Sequence, residues 1–104
     1  MEMKVFWTQT ALNNLEDIFD YYKNRTSAAI ARKLVKKIVA VTINIQKSPN
    51  IGKIEILLKD RRFEYRFLVI DNYKVIYWVE DSYIKIAAVF DSRQNPVKIN
   101  RLNI

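Results

Sequence analysis

The sequence has 104 residues, half of them apolar, and carries 18 Lys and Arg against 11 Asp and Glu, for a formal net charge of +7. This length and composition predict one folded domain, 1–104, with a single core and no extended disorder. The chain has no cysteine and no histidine, which excludes disulfides, thiolate nucleophiles, histidine bases and metal sites built from either residue type.

The first predicted elements are a short strand and a helix. The strand covers 4–8, where β-prone residues follow one another. The helix begins after a cap at Thr8 or Thr10 and ends at about Lys23, because apolar residues between these points recur every three or four positions.

A second helix is predicted directly after a short break. Thr26 or Ser27 caps it, and it ends at about Gln46. The β-branched residues at 38–43 would also suit a strand, but no turn residue interrupts the helical period before 48–50. Two helices with so short a break between them predict a helical hairpin.

After Pro49 the apolar pattern changes to alternation with a period of two residues. A lysine-rich, irregular stretch at 53–60 contains at most a weak strand, and clear strands follow at 62–70, 73–80 and 83–90. Asp-Asn and Asp-Ser turns separate these three strands, which therefore form an antiparallel meander. The predicted fold class is α+β, in the order β-α-α-β-β-β, with the helical hairpin packed on one face of a curled antiparallel sheet.

The excess of positive charge favours an acidic partner, such as nucleic acid or an acidic protein, with solubility alone as the alternative. Arg62 and Arg66 are four residues apart on one predicted strand, which places them on the same face about 13 Å apart. Arg93 follows the last strand, and two lysines lie in the irregular stretch. We therefore predict one basic binding surface formed by Lys53, Lys59, Arg62, Arg66 and Arg93.

Other interpretations of these residues remain open. Glu64 lies between the two strand arginines, and ordinary surface ion pairs with Glu64, Asp60 and Asp91 would neutralise the basic surface. The basic residues at 32–37 are interpreted as a solvated helix face, with partner binding as the alternative. The aromatic residues of the strands favour a sheet core over base stacking.

The sequence contains no Gly-rich phosphate loop, paired-carboxylate site or metal-ligand cluster, and neither a cofactor nor a metal is expected. The first residues lack the pattern of a signal peptide. The longest apolar-rich run, 38–45, is too short to span a bilayer. These observations predict a cytoplasmic protein that does not enter the membrane.

One segment, RRFEYRFLVIDNYKVIYWVEDSYIKIAAVFDSRQNP at 61–96, combines an aromatic-Arg strand, a Tyr-x-Val-x-Tyr strand and a last strand ending in Asp-x-Arg-Gln-Asn-Pro. Upstream, Trp7 and Thr8 precede an amphipathic helix, and Pro49 and Gly52 follow the second helix. In this order, over nearly the whole chain, these features resemble the RelE/ParE superfamily of toxins from type II toxin–antitoxin systems of the plasmid stabilisation type.

The resemblance implies a growth-inhibiting toxin that is neutralised by a cognate antitoxin. We expect this antitoxin to be acidic and partly disordered and to cover a sheet edge or the helical hairpin. A homodimer of the toxin and a heterotetramer with the antitoxin are the two assemblies that we consider. RelE-type members cut mRNA on the ribosome, and ParE-type members inhibit DNA gyrase. Arg66 matches the family's sheet arginine, and Arg93 matches its arginine after the last strand.

The C-terminal residues favour the ParE type. After Arg93 the sequence NPVKINRLNI has neither the Tyr nor the His that RelE-type members use. We therefore expect gyrase inhibition, with ribosome-dependent mRNA cleavage as the first alternative. In that case the chain is an endoribonuclease whose candidate catalytic residues are Lys53, Arg66 and Arg93. An inert binding module with the same fold is the second alternative.

Overall fold

The computed structural model describes residues 3–104 and contains two helices packed on a five-stranded sheet. The helices are α1 (Gln9–Arg25) and α2 (Ala28–Lys47), and the strands are β1 (Lys4–Trp7), β2 (Lys53–Ile54), β3 (Arg66–Ile70), β4 (Tyr73–Glu80) and β5 (Tyr83–Asp91). Two short 3₁₀ turns cover Ile56–Leu58 and Pro96–Arg101. The strand order across the sheet is β1-β5-β4-β3-β2.

The α+β class and the order β-α-α-β-β-β are confirmed, with β2 as an additional strand of only two residues. The predicted antiparallel meander is confirmed in β3, β4 and β5, but the sheet as a whole is mixed, because β1 runs parallel to β5, with Lys4 opposite Tyr83. Tight turns fix the relative directions of β3, β4 and β5, whereas two helices separate β1 from the rest of the sheet. The direction of β1 therefore depends on long-range pairing, which alternation does not encode.

Both helices begin where the sequence provides a cap. The Thr8 hydroxyl accepts a hydrogen bond from the N–H of Ala11 at 3.2 Å, and the Ser27 hydroxyl accepts one from the N–H of Ile30 at 3.2 Å. Each bond satisfies an N–H group that has no partner within the helix. The β-branched stretch at 38–43 is helical, as predicted, and contributes buried residues to the core.

The strand predicted at 62–70 is shorter than expected, because β3 begins only at Arg66. The residues before it pack instead over the open face of the sheet, the face opposite to the two helices. There the Phe63 ring stacks on the Trp78 ring with centroids 5.1 Å apart, and the Tyr65 ring meets Trp78 at 5.5 Å. Arg62 is therefore not on a strand, and its predicted placement on one strand face with Arg66 is wrong.

The two-residue turns lie where the sequence predicts them. Asp71 and Asp81 have φ angles of 52° and 56°, in the left-handed region that the tightest hairpins require. Asp tolerates this region better than most side chains, because it can form local hydrogen bonds with the backbone. β4 and β5 accordingly keep their predicted bounds to within one residue.

Two hydrophobic clusters hold the layers together. The larger lies between the helices and the sheet, and its fully buried members include Ile38, Ile45, Val75 and Ile84. The smaller covers part of the open face, where Leu58, Ile76 and Ile99 meet. Arg61 donates to the carbonyl oxygens of Leu102 at 3.0 Å and Ile104 at 3.1 Å, which holds the C-terminal residues against this second cluster.

Among residues 3–104, neither helix has the length and apolar character that a membrane span requires.

Candidate functional site

Arg66, the predicted sheet arginine, is held by internal contacts. Its guanidinium donates to the carbonyl oxygens of Gly52 at 2.9 Å and Asn50 at 3.3 Å, and to the Glu64 carboxylate at 3.1 Å. Only 20% of its side chain is exposed. Arg66 therefore fastens the chain segment after α2 to the edge of the sheet, and little of its hydrogen-bonding capacity remains for a ligand.

Tyr77 fastens the same segment from the neighbouring strand. Its hydroxyl donates to the carbonyl oxygen of Pro49 at 2.7 Å and accepts from the N–H of Gly52 at 2.9 Å. Burial raises the pKa of Tyr77 and so keeps the phenol protonated. Segment 49–52, which we call the β2 entry loop, is thus fixed by one tyrosine and one arginine.

Arg93 lies at a different place and is bound by its own neighbour. Its Nε and one terminal nitrogen donate to the two oxygens of Asp91, at 3.0 and 2.8 Å. These hydrogen bonds raise the pKa of Arg93 and lower the pKa of Asp91. The pair lines a polar cleft of about 270 Å³ between α1 and the end of β5, together with Asn14, Asp17, Tyr21 and Gln94.

Arg66 and Arg93 do not share a surface. Arg66 lies opposite Tyr77, whereas Asp91, two residues before Arg93, lies opposite Tyr73. Tyr77 and Tyr73 are four residues apart on β4, which separates the two positions by about 13 Å along the strands. Arg66 is on β3 and Asp91 on β5, two strands away, which adds about 10 Å across the sheet. The predicted single basic surface is therefore wrong in its geometry, and both arginines form the ion pairs that the alternative interpretation of the sequence describes.

Three of the predicted basic residues lie in β2 or in the segment that follows it. Lys53 belongs to β2, while Lys59 and Arg62 line a cleft of about 230 Å³ beyond it. All three are exposed, and so are aliphatic side chains between them. We call this the 51–62 surface, and it consists of Ile51, Lys53, Ile54, Ile56, Leu57, Lys59 and Arg62.

The aliphatic part of the 51–62 surface was not predicted from the sequence. Ile56 is 69% exposed and Ile54 is 45% exposed, although both are large apolar residues. The only sequence signal is that isoleucine and leucine recur beside lysine in a stretch without regular periodicity. Clustered exposed apolar side chains of this kind typically mark a protein–protein contact.

The edge of β3 adjoins this surface and is only partly covered. β2 pairs with β3 at two positions, through Lys53 opposite Phe67 and Ile54 opposite Arg66. Beyond them, Val69 is 58% exposed, and no strand of the described residues pairs with that part of the edge. Such an edge can accept a further strand from a partner.

The basic face of α2 is exposed, as the solvated interpretation predicts. Arg32, Lys33 and Lys36 all have exposed side chains. Lys37 forms an ion pair with Asp71 at 3.0 Å, in which both side chains are about half exposed. Within residues 3–104, no cluster of carboxylates suited to a metal ion is found.

Replacement of Asp91 by Asn should destabilise the fold near neutral pH but not in acid. Hydrogen bonds from Arg93 lower the pKa of Asp91 below its ordinary value of 3.8. Asp91 therefore contributes stability above about pH 4, and this contribution is lost as the pH falls through the lower pKa of the folded state. We expect Asp91→Asn to lower the urea midpoint at about pH 7 and to leave it nearly unchanged at about pH 2.

The control for this prediction is the same substitution in an Arg93→Gln background. There the cause of the pKa shift is absent, and Asp91→Asn should have little effect at either pH. A wild-type-like midpoint for Asp91→Asn at neutral pH would show that the pair contributes nothing to stability, as is common for exposed ion pairs.

Comparisons with known proteins agree with this fold. The family model of the ParE toxin of the type II toxin–antitoxin system parDE matches residues 5–96. A chain of the chromosomal ParDE TA system from P. aeruginosa has a TM-score of 0.72 at 23% identity, and the match covers 86% of this chain and 96% of that one. The YoeB dimer from Staphylococcus aureus gives 0.52 at 24% identity, with coverages of 85% and 94%. No curated protein matches the chain.

The two solved structures, both below 25% identity, support the fold. The match to the family model shows the family as well, because it extends from β1 to beyond the end of β5 and so includes the helices, the sheet and the segment with Arg93. The chain therefore belongs to the ParE toxin family of type II toxin–antitoxin systems.

Proposed function

We propose that this ParE-family toxin inhibits DNA gyrase without catalysing a reaction and is neutralised by a cognate acidic antitoxin. The observation that carries the proposal is the family match over 5–96, together with the separation of Arg93 from the other two candidate catalytic residues, Lys53 and Arg66, which lie on the paired strands β2 and β3. Lys53, Arg66 and Arg93 would have to act together in a ribonuclease.

RNA cleavage through a 2′-hydroxyl needs a proton acceptor and cationic stabilisation of the phosphorane within one site. Arg66 is engaged by two carbonyl oxygens and Glu64, and Arg93 is engaged by Asp91 on another part of the molecule. The buried phenols of Tyr73 and Tyr77 have raised pKa values, so both stay protonated near neutral pH and cannot accept a proton. These contacts support a toxin that acts by binding.

The 51–62 surface is the proposed contact for gyrase. It combines three cations with exposed aliphatic side chains, a composition that suits an acidic protein surface with apolar anchors. Arg66 and Tyr77 support it indirectly, because they fix the β2 entry loop at its start. In this proposal Arg66 is a positioning residue and does not itself bind the target.

The same surface offers a simple route to neutralisation. The open edge of β3 at Val69 adjoins the 51–62 surface, and an extended acidic segment could pair with that edge while covering the aliphatic side chains. An antitoxin bound in this way would compete directly with gyrase. Light scattering of the purified complex would then distinguish a heterotetramer from a simple toxin–antitoxin pair.

Gyrase supercoiling assays test the proposal. Purified wild-type chain should inhibit supercoiling, and Lys59→Gln/Arg62→Gln should require about tenfold more protein, since two exposed charge contacts together contribute on the order of 1.4 kcal/mol. The matched control is Lys33→Gln/Lys36→Gln, which removes the same charge from the exposed face of α2 and should inhibit like wild type. Adding the product of the adjacent open reading frame should restore supercoiling.

Other outcomes would identify the alternatives. If a several-fold excess of wild type leaves supercoiling and cleavage-complex levels unchanged, gyrase is not the target. Codon-linked transcript ends after induced expression, abolished by Arg66→Ala, would instead establish ribosome-dependent mRNA cleavage. Normal growth with good yield of the chain, in the absence of any partner, would indicate an inert binding module.

A further inference from the structure

The open face of the sheet carries an ordered arrangement of aromatic and charged side chains near its β1 edge. β1, β5 and β4 are adjacent strands there, and their residues form two rows of cross-strand neighbours. We call these six residues the checkerboard, because rings and charges alternate in both directions: Phe6, Lys85 and Trp78 form one row, and Lys4, Tyr83 and Glu80 form the other.

Two of the three rings of the checkerboard, Phe6 and Tyr83, are not core residues, whereas Trp78 packs against the second cluster. Phe6 is 49% exposed and Tyr83 is 39% exposed, and Trp78 is only partly buried. The second hydrophobic cluster, which buries Ile76 on the same open face, does not include Phe6 or Tyr83. Large rings that a sheet leaves exposed to solvent are available to a ligand.

Cations lie among these rings. The Lys85 ammonium is 5.6 Å from the centroid of Phe6 and 5.9 Å from those of Trp78 and Tyr83. Arg62 lies 5.1 Å from the Phe63 ring, which stacks on Trp78 and extends the arrangement. Lys85 also pairs with Glu80 at 3.4 Å, but both side chains are about one third exposed. A pair of this kind contributes little. A phosphate bound to Lys85 would compete with Glu80, which also accepts a hydrogen bond from Trp78 Nε1 at 3.2 Å.

We propose that the checkerboard binds single-stranded nucleic acid. Exposed rings on an open sheet can stack unpaired bases, while neighbouring lysines neutralise the phosphates between them. Strand spacing and residue rise place neighbouring ring positions about 8 Å apart, which leaves room for two bases on separate rings. A duplex would not fit, because its bases are already stacked on one another.

The rings distinguish this ligand from an acidic peptide. A peptide partner is typically held by side chains in pockets or by strand pairing, and the 51–62 surface has that character. The checkerboard offers planar rings with cations between them, and every base has a face that can stack on such a ring. The proposal goes beyond gyrase inhibition and does not depend on it.

Fluorescence anisotropy with the full chain tests the proposal. The probes are labelled oligomers of about 12 nucleotides, oligo-dT and oligo-rU, and a duplex of the same length. We expect tighter binding to the single strands than to the duplex. Phe6→Ala and Tyr83→Ala should each weaken binding by at least about fivefold. Comparison of the affinities for oligo-dT and oligo-rU shows whether the site prefers DNA or RNA.

The control variants separate stacking from charge. Leu12→Ala removes an equally exposed apolar side chain from α1 and should bind like wild type. Lys4→Gln should reduce the slope of log K against log salt by about 0.7, the value for one lost phosphate contact, whereas Lys36→Gln on α2 should leave it unchanged. In a Trp7→Phe background, bases bound on Phe6 and Tyr83 should change the fluorescence of the remaining tryptophan, Trp78, whose ring is already stacked on Phe63.

Several results would overturn the proposal. If Phe6→Ala and Tyr83→Ala bind as tightly as wild type, the oligomers adsorb through net charge alone. If Lys36→Gln reduces the salt slope as much as Lys4→Gln does, the nucleic acid binds on α2. Duplex binding as tight as single-strand binding, or none at all, would also contradict it. If polyglutamate binds more tightly than the single strands, and Phe6→Ala and Tyr83→Ala weaken that binding, the checkerboard binds a protein partner instead. Because these measurements use the isolated toxin, their outcome is independent of the gyrase assay.

Discussion

Gly52→Ala should destabilise the protein by about 2–4 kcal/mol. An added Cβ would lie 2.8 Å from both Cε1 and the hydroxyl oxygen of Tyr77 and 2.9 Å from the carbonyl oxygen of Phe67. The Tyr77 ring cannot withdraw, since its hydroxyl is bound to Pro49, and the third neighbour is backbone of β3. Overpacking costs about 1–3 kcal/mol, and loss of the hydrogen bond from Gly52 to Tyr77 adds about 1 kcal/mol.

In a urea titration this loss of stability should appear as a lower midpoint with an unchanged m value. Asn50→Ala is the control, because its exposed side chain is not a partner of Tyr77 or Arg66, and it should change stability by less than about 0.5 kcal/mol. Tyr77→Phe should cost about 1–3 kcal/mol, since it leaves the Pro49 carbonyl and the Gly52 N–H unpaired. If Gly52→Ala were as stable as wild type, the β2 entry loop would not be held as described.

Lys74→Met should be the other strongly destabilising substitution, with a loss of about 3 kcal/mol. The Glu55 side chain is only 4% exposed, and its carboxylate binds the Lys74 ammonium at 3.0 Å and the N–H of Leu57 at 3.2 Å. The ammonium also lies 4.2 Å from the Phe67 ring centroid. Removing it leaves a buried carboxylate without its counter-charge, which typically costs 3–5 kcal/mol, and the partial exposure of Lys74 places this case at the lower end.

A double-mutant cycle separates the ion pair from packing. Glu55→Gln keeps an acceptor for Leu57 and removes the charge, and in that background Lys74→Met should cost at least 1 kcal/mol less than in wild type. The free energy of unfolding of all four proteins, from urea titration, gives the coupling. Strict additivity of the two substitutions would mean that the pair does not stabilise the fold.

The elements that were predicted correctly are those whose signals are local. α1 and α2 follow from helical periodicity and from caps at Thr8 and Ser27, and β4 and β5 follow from alternation bounded by Asp71 and Asp81. The errors involve long-range partners. The direction of β1 depends on β5, and alternation at 62–65 reflects packing on Trp78, which the sequence pattern cannot distinguish from strand pairing.

The sequence indicated which basic residues could form the candidate site, but it did not indicate which of them lie near one another. Lys59 and Arg62 line one cleft with Ile54, the neighbour of Lys53, whereas Arg66 and Arg93 are engaged by carboxylates two residues away in the sequence. Whether an arginine is free or paired depends on side-chain geometry, which spacing alone does not determine. The checkerboard was missed for another reason: it exists only because β1 pairs with β5, 79 positions further along the chain.

That pairing has a consequence for how the protein is made. Among residues 3–104 the only strand partner of β1 is β5, and the first hydrogen bond after β1, from Thr8 to Ile86, spans 78 positions. Contacts between such distant positions slow folding, because a long loop must close before any stabilising interaction is gained. During synthesis β1 stays without this strand partner until the ribosome has released β5. A nascent chain that ends before β5 therefore lacks the checkerboard.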